Sequence, residues 1–279
     1  MTGERCYVCN SEQFDTVALF TTPPRNENTF GIRENYLREL RRCHNCNSFF
    51  NHHRFNLDEI YSGQYREHSY LESDAAQSRF HKIISLPESH SDNKQRCTYI
   101  IEKALINMDP RGLLLLDVGS GMGVFPYEMS SRGYTVDAID PDPKNCEFIS
   151  SIPISGDVYT GKFQELVNSF AKRYDFISFN KVLEHIPDFK KVIETAKHLL
   201  KPSGIIYIEL PDADGAANDS YTRQEFFLEH YFAPSRKGIT CLASELALEI
   251  IGMSSVVEPS GKYTSRLFCR SEKDYAKNM

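Results

Sequence analysis

The sequence predicts an α/β fold with a mostly parallel sheet, preceded by a small module rich in cysteine. From Gly112 onwards, short apolar runs alternate with helical patterns, which is typical of a parallel sheet covered by helices on both faces. Residues 1–60 differ from the rest of the chain, since they hold four of the eight cysteines and show little apolar periodicity. Two structural units are therefore expected.

The predicted strands start with the wholly apolar run Leu113–Leu116, which suits a strand buried on both faces. The following predicted strands are Tyr134–Ile139, Val158–Tyr159, Phe176–Phe179 and Ile205–Leu210, with a turn at Lys201–Gly204. Near the end of the chain, Ser254–Glu258 and Tyr263–Cys269 are predicted to form a hairpin across Pro259–Gly261. Such a hairpin adds one antiparallel strand to the sheet.

Helical patterns separate these strands. The predicted helices are Asn93–Asn107, Val124–Ser131, Phe189–Leu200 and Leu242–Ile251. We divide the chain into a cysteine module at 1–60, a helical connector at 61–109 and an α/β domain at 110–279. A length of 279 residues suits one large and one small domain.

The overall charge excludes a general attraction for polyanions. The formal net charge is −6, which disfavours binding to nucleic acid or to an anionic membrane. Arg38, Arg41 and Arg42 are the candidates for a local basic patch, and a solvated helix face is the favoured interpretation. The polar N-terminus and the absence of long apolar runs predict neither a signal peptide nor a transmembrane helix, so a cytoplasmic location is expected.

The cysteine module contains two C-x-x-C pairs, Cys6-Tyr7-Val8-Cys9 and Cys43-His44-Asn45-Cys46. Each pair can place two thiolates on one metal ion at about 2.3 Å, and two pairs complete a tetrahedral site without an open position. The sequence therefore predicts a structural zinc site, with four buried thiols as the alternative. The predicted ligands are Cys6, Cys9, Cys43 and Cys46.

A glycine-rich segment, Asp117-Val118-Gly119-Ser120-Gly121-Met122-Gly123, follows the first predicted strand of the α/β domain and opens a helix. Glycine lets the backbone turn tightly and approach a ligand closely, and ligands of such folds bind at the carboxyl ends of the strands. Asp140 ends the next strand, where a carboxylate can accept hydrogen bonds from both hydroxyls of a ribose. The segment therefore predicts a site for a cofactor that contains a nucleoside.

The position of Asp117 distinguishes between cofactors. A carboxylate before the first glycine would repel a pyrophosphate, whereas it suits the cationic amino group and sulfonium of S-adenosylmethionine. The glycine spacing also departs from the G-x-G-x-x-G of dinucleotide sites. The sequence favours S-adenosylmethionine over NAD, and a plain glycine turn is the alternative without a ligand.

Residues from about 110 to 270 resemble the class I S-adenosylmethionine-dependent methyltransferases, whose fold is Rossmann-like. Besides the glycine loop, the resemblance covers Val136–Asp140, the segment Asn180-Lys181-Val182-Leu183-Glu184-His185-Ile186 and Leu200–Gly204. It implies that Gly161 to Phe163 pass the adenine ring and that Asn180 lies beside the cofactor. Many relatives have an aspartate where Lys162 stands, so the adenine contact is expected from the backbone around Lys162 and Phe163.

The cysteine pairs joined to this domain resemble the C-methyltransferases that act on nucleotide-linked keto-deoxysugars. Leu57–Ser62 and Glu229–Ser235 match stretches of that family. The resemblance implies that Glu229 and His230 face the sugar and that His185 lies near the transferred methyl group. The family often has a tyrosine where Phe227 stands, and commonly a further C-terminal domain. O-methylation of a sugar in surface polysaccharide synthesis is therefore as compatible as C-methylation.

Methyl transfer requires the acceptor to be aligned with the sulfonium and to lose a proton. A histidine, with a pKa near 6.5, is a reasonable base at neutral pH. His230, with its ring held by Glu229, is the first candidate and His185 the second. For each histidine, local hydrogen bonding in a purely structural role is the alternative.

Two other functions compete at this stage. One is a ribosomal-RNA methyltransferase with an N-terminal zinc module, which would need a basic face and stacking aromatics. The net charge argues against it, and nucleic acid is not the expected partner. The other is a non-catalytic cofactor-binding protein, which the intact glycine loop with Asp140 argues against. The expected partner is a small molecule, most simply a nucleotide sugar.

Overall fold

The computed structural model describes residues 4–28, 36–55, 73–166 and 173–272. The strands are β1 (Phe14–Phe20), β2 (Arg38–Cys43), β3 (Phe49–His53), β4 (Leu114–Val118), β5 (Thr135–Asp140), β6 (Val158–Thr160), β7 (Tyr174–Asn180), β8 (Leu200–Pro211), β9 (Phe232–Ala233), β10 (Leu248–Val257) and β11 (Tyr263–Ser271). The helices are α1 (Ser73–Ser85), α2 (Asp92–Ile100), α3 (Val124–Ser131), α4 (Pro143–Ser151), α5 (Phe163–Leu166), α6 (Phe189–Leu199), α7 (Ala213–Asp219) and α8 (Arg236–Glu245). Short helical turns cover Glu88–His90, Ile101–Leu105, Pro110–Gly112, Leu183–His185 and Gln224–Phe226.

The larger sheet has seven strands in the order β10-β11-β8-β7-β4-β5-β6. Strands β4 to β8 pair in parallel, whereas β11 runs antiparallel to both of its neighbours, β8 and β10. The predicted mostly parallel sheet with a terminal antiparallel hairpin is therefore confirmed. Leu115 and Leu116 in β4 are fully buried, as the apolar run predicted for a strand covered on both faces.

The helix predicted at Leu242–Ile251 is wrong in its second half. Helix α8 ends at Glu245, and Ala247 has a positive φ of 47°, which a continuing helix cannot accommodate. Strand β10 begins at Leu248 and pairs along its length with β11. A short apolar run such as this one does not distinguish helix from strand, and the pairing with β11 decides the outcome.

Other element predictions fit the structure with adjusted bounds. The helix predicted at Asn93–Asn107 is formed by α2 and the helical turn Ile101–Leu105 that continues it. The predicted turn at Lys201–Gly204 falls inside β8, where Ser203 has a positive φ of 67° and the pairing with β7 shifts register. The stretch Leu57–Ser62 lies outside the described residues.

The N-terminal module is built on an antiparallel sheet in the order β1-β2-β3-β9, so its last strand comes from the α/β domain. The two cysteine pairs form matching turns. In each turn, the asparagine that follows the second cysteine has a positive φ and donates its backbone N–H to the carbonyl of the first cysteine. These asparagines are Asn10 and Asn47.

The three arginines of the module do not form a helix face. They lie on strand β2, where Arg38 is fully buried and Arg41 forms an ion pair with Glu39. Alternating burial along the strand explains this difference, because successive side chains of a strand point to opposite faces. The basic patch considered from the sequence is therefore not present at Arg38 and Arg41.

The module and the larger sheet share one hydrophobic core. Val8 and the buried cysteines belong to the same cluster as Phe189 in α6 and Phe232 in β9. The rings of Phe189 and Phe232 lie 4.3 Å apart, and Tyr7 contacts the edge of Tyr231. Within the described part of the chain, none of the helices has the length and apolar character needed to cross a membrane.

Candidate active site

The glycine loop connects β4 to α3 with three left-handed residues, Gly119, Gly121 and Gly123, whose φ values are 73°, 54° and 73°. A Cβ atom at Gly119 would lie 2.7 Å from a methyl group of Val182, and one at Gly123 would lie 2.9 Å from Ile149. Nothing lies within 4 Å of the same position at Gly121. The outer glycines thus permit close packing, while the middle one leaves its backbone open to a ligand.

Asp140, at the end of β5, is held rigidly beside this loop. Its Oδ2 accepts a hydrogen bond from the backbone N–H of Gly121 at 2.8 Å. Its Oδ1 accepts from the backbone N–H of Asp142 and from the side chain of Asn145, each at 2.9 Å. Burial raises the pKa of Asp140 above its ordinary value. The carboxylate is therefore fixed at the carboxyl end of the sheet, where a ribose would be expected.

A cavity of about 600 Å³ opens between the glycine loop, the end of β5 and the segment that follows β7. Five of the predicted cofactor-site residues line it: Gly119, Gly121, Asp140, Lys162 and Phe163. His185, from the turn after β7, lines the same cavity. The structure thus brings the predicted cofactor residues and one candidate base to a single space.

Asp117 and Asn180 are not among the residues that line this cavity. Asp117 is buried, and its Oδ1 accepts hydrogen bonds from Ser178 Oγ and Asn180 Nδ2, both at 2.7 Å. Burial raises the pKa of Asp117 to about 6. Asn180 Oδ1 is buried and accepts no hydrogen bond from the described residues. Asp117 therefore orients the side-chain amide of Asn180. Asp117 itself does not line the cavity, as the sequence suggested it would.

The two candidate bases lie together. The ring centroids of His185 and His230 are 4.8 Å apart. Nδ1 of His185 is 3.0 Å from the carbonyl oxygen of Glu229, and Nδ1 of His230 is 2.9 Å from that of Glu225. A carbonyl oxygen can only accept, so Nδ1 is the donor in both rings and Nε2 carries the lone pair. The backbone carbonyl of Glu225 holds the His230 ring through Nδ1, a contact that the sequence analysis did not foresee.

Desolvation dominates the electrostatics around this pair. It lowers the pKa of His185 to about 4 and that of His230 to about 3, where the neighbouring His185 adds to the effect. It raises the pKa of Glu184 to about 8 and that of Glu229 to about 7. Both imidazoles are consequently neutral at physiological pH, which keeps their Nε2 atoms available as proton acceptors.

Two residues of this cluster were missed by the sequence analysis. Glu184 is buried, its Oε2 accepts no hydrogen bond from the described residues, and one of its oxygens lies within 4.8 Å of ring nitrogens of His185 and His230. Its position next to His185 in the sequence was a signal that could have identified it. Lys262 is half-buried and its charge lowers the pKa of both histidines. Nothing in the local sequence around Lys262 indicates that the turn between β10 and β11 approaches them.

The four predicted zinc ligands also converge. Cys6 Sγ is 3.5 Å from Cys46 Sγ, and Cys9 Sγ is 3.5 Å from Cys43 Sγ. All four sulfur atoms lie within 4.8 Å of one another. Four thiolates bound to zinc at about 2.3 Å in a tetrahedron would lie about 3.8 Å apart, so the donor set and its spacing fit that ion.

Comparison with known proteins identifies the α/β domain. Residues 89–251 match the family described as "Methyltransferase domain". The ubiquinone biosynthesis O-methyltransferase of Serratia proteamaculans is 30% identical over 122 residues, which cover 42% of this chain and 49% of that protein. The enzyme of the same name from Caulobacter vibrioides is 30% identical over 131 residues, 43% of this chain and 52% of that protein. The chain thus spans about half the length of the curated relatives it matches.

Solved structures share the fold. Magnesium protoporphyrin IX methyltransferase from Synechocystis PCC 6803, with bound SAH, has a TM-score of 0.57 at 14% identity. The match covers 77% of this chain and 100% of that chain. A 1,6-didemethyltoxoflavin-N1-methyltransferase from Burkholderia thailandensis has a TM-score of 0.55 at 16% identity, and the match covers 90% of this chain and 99% of that chain. Because the family match spans more than half of the chain, the protein belongs to this methyltransferase family.

Proposed function

We propose that the protein methylates a nucleotide-linked sugar or a related precursor of surface polysaccharide, with His230 as the general base and His185 beside it. The observation that carries this proposal is the histidine pair next to the cavity, in which backbone carbonyls hold both Nδ1 atoms and leave Nε2 as the basic nitrogen. A small polar acceptor with an ionisable O–H or C–H group matches such a base.

We assign the cofactor to the cavity of about 600 Å³. Asp140 would accept hydrogen bonds from the ribose hydroxyls, and the backbone at Gly121 would approach the cofactor closely. Lys162 and Phe163 would flank the adenine ring. Asp117 orients the amide of Asn180, and because neither side chain lines this cavity we assign neither of them a direct contact with the cofactor.

In the proposed reaction, Nε2 of His230 takes the proton from the acceptor atom. S-adenosylmethionine, when bound, would supply the activated methyl group: the acceptor's electron pair would form the new bond to carbon as the bond from carbon to sulfur breaks and leaves a neutral thioether. The imidazolium that forms needs a nearby negative charge, since His230 is a weak base in this environment. Glu184 is placed to supply that charge when ionised.

We further propose that Cys6, Cys9, Cys43 and Cys46 hold one structural zinc ion. The converging sulfur atoms support this assignment, and the four thiolates leave no position for a substrate. The role of the ion would be to stabilise the N-terminal module, as metal sites of small modules do.

A second candidate acceptor is a phenolic precursor of ubiquinone, because the curated relatives are named ubiquinone biosynthesis O-methyltransferases. The same histidine base could take the proton of a phenol. RNA is disfavoured as an acceptor, because Arg38 is buried and Arg41 is paired within the module.

Transfer of a labelled methyl group from S-adenosylmethionine distinguishes these acceptors. Three panels would be offered: nucleotide-linked keto-deoxysugars with other nucleotide sugars, catechols as phenol probes, and total RNA. We expect transfer to a member of the sugar panel that depends on His230. Transfer to the catechols alone would show that the acceptor is a phenol and not a sugar. Transfer to RNA alone would overturn the assignment of a small-molecule acceptor.

A further inference from the structure

We propose that the N-terminal module is a working part of the acceptor site, in which Asn51 and Arg38 are positioning residues for both histidines. This inference rests on the proposed role of His230 as base. It starts from the loop formed by residues 225–231, which joins the turn Gln224–Phe226 to the short strand β9. Both histidine rings depend on this loop.

Asn51, on strand β3, uses both N–H groups of its side-chain amide to hold the loop. Its Nδ2 donates to the carbonyl oxygens of Phe227 at 2.9 Å and His230 at 2.8 Å, with a longer contact of 3.3 Å to that of Phe226. Its Oδ1 accepts from Arg38 Nη1 at 2.6 Å, which sets the orientation of the amide. Asn51 is buried, so these hydrogen bonds are shielded from water.

Arg38 lies on strand β2, the neighbour of β3 in the sheet, and it binds the same loop. Its Nη1 donates to the carbonyl oxygen of Phe226 at 2.7 Å. Its Nη2 lies 3.0 Å from Glu27 Oε1, the atom that accepts the backbone N–H of Leu228 at 2.7 Å. The guanidinium and the Glu27 carboxylate are both fully buried. Arg38 and Glu27 thus form a buried ion pair, and each of them also hydrogen-bonds the backbone of the loop, at Phe226 and Leu228.

The loop in turn fixes both candidate bases. The carbonyl of Glu225 binds Nδ1 of His230, and the carbonyl of Glu229 binds Nδ1 of His185. Glu225 directly precedes the segment 226–230 that Asn51 and Arg38 bind, and Glu229 lies within it. A shift of the loop would therefore move both imidazoles and release the bonds that keep Nδ1 protonated and Nε2 basic.

The second cysteine pair is connected to the segment that follows this loop and β9. Ser235 Oγ donates to the backbone carbonyl of Cys46, and the backbone N–H of Ser235 donates to Ser48 Oγ at 3.2 Å. Phe49 and Phe50 of β3 pair with β9, which ends two residues before that serine. Folding of the cysteine module thus anchors the segment that carries His230.

The test compares Asn51→Ala and Asn51→Asp with the control His52→Ala. The carboxylate introduced by Asn51→Asp would still accept from Arg38 but could not donate to the loop, whereas His52 is the next residue of β3 and points to the other face. For both Asn51 variants we expect kcat to fall by about 10- to 100-fold, the cost of misplacing a reacting group by about 1 Å. Acceptor KM should stay within about twofold of the wild type, and affinity for SAH should fall no further than in His185→Ala, since the clamp touches neither the glycine loop nor Asp140.

Two readouts separate positioning from general stability. Hydrogen exchange of the backbone should accelerate over residues 226–231 and stay unchanged over 119–123. The pH–rate profile should have a histidine limb below the rise that Glu184 sets, and this lower limb should move to higher pH, because a loosened loop admits water and returns the histidine pKa values toward 6.5. The control variant should change neither.

The proposal is overturned if both Asn51 variants keep wild-type kcat and wild-type exchange over 226–231. It is also overturned if they lose SAH binding together with turnover, because the effect would then be global. If the wild type methylates no small acceptor, the proposed function fails, and the exchange measurement alone decides whether the clamp exists.

Discussion

The rings of His185 and His230 meet edge to face, with centroids 4.8 Å apart and planes inclined at 68°. The two residues are 45 positions apart in the sequence, one following β7 and the other preceding β9. Their Nδ1 atoms both bond to carbonyls of the loop that contains His230. Because one loop holds both rings, a change in that loop affects the two histidines together.

Replacing His230 by Ala should lower kcat by about 10² to 10⁴, the usual contribution of a general base, with SAH affinity barely changed. His185→Ala should have a similar or smaller effect on kcat, with some loss of cofactor affinity because His185 lines the cavity. His198→Ala, on the exposed side of α6, is the matched control. Near-normal turnover in both site variants would assign the base to another group.

Asp140→Ala should weaken SAH binding by about 1–3 kcal/mol in calorimetry, since ribose hydroxyls would lose their acceptor and Gly121 would lose its partner. Asp109→Ala, at an exposed turn, serves as the control. Unchanged affinity in Asp140→Ala would mean that the ribose lies elsewhere.

The rate should rise with pH between about pH 7 and 9. Burial raises the pKa of Glu184 to about 8, and only its ionised form can stabilise an imidazolium on the neighbouring ring. Glu184→Gln should flatten this rise and lower the plateau. A wild-type rise that persists in Glu184→Gln would assign the titration to a different group.

The histidine pair should also affect how the free energy of unfolding depends on pH in the acidic range. Each folded pKa lies below the ordinary value of about 6.5, so the unfolded chain binds more protons as the pH falls. Their stability contribution is complete above about pH 6.5 and is lost as the pH falls toward about 4. Urea unfolding of a His185→Asn/His230→Asn variant should therefore show a smaller loss of free energy over this range than the wild type. An identical loss would contradict the assigned burial of the pair.

Purified protein should contain one zinc ion per chain by elemental analysis. Cys9→Ser should abolish the metal and unfold the module, while SAH binding stays largely intact, because the glycine loop belongs to the other sheet. Turnover should fall as well, since the module anchors the histidine loop. Cys241→Ser, at a half-buried thiol outside the module, should change neither metal content nor turnover. A folded, metal-free N-terminal module would contradict the zinc assignment.

Features that depend on neighbouring residues could be predicted from the sequence. The glycine loop, Asp140 and the two cysteine pairs depend on backbone conformations and spacings within a few residues, so their local patterns were sufficient. The helix predicted at Leu242–Ile251 was wrong, because β10 takes its conformation from pairing with β11. A local pattern carries no information about such a partner.

The sequence by itself determined the fold class, the glycine loop and the cysteine pairs of this protein. Only the tertiary structure decided that the backbone of Glu225 holds His230, that Asp117 orients Asn180, and that the N-terminal module hydrogen-bonds the loop 225–231. The hydrogen bonds of that clamp join Arg38 and Asn51 to carbonyls more than 170 residues further along the chain. Contacts at such separations form only when the two sheets pack on one core, so no local pattern of residue types could reveal them.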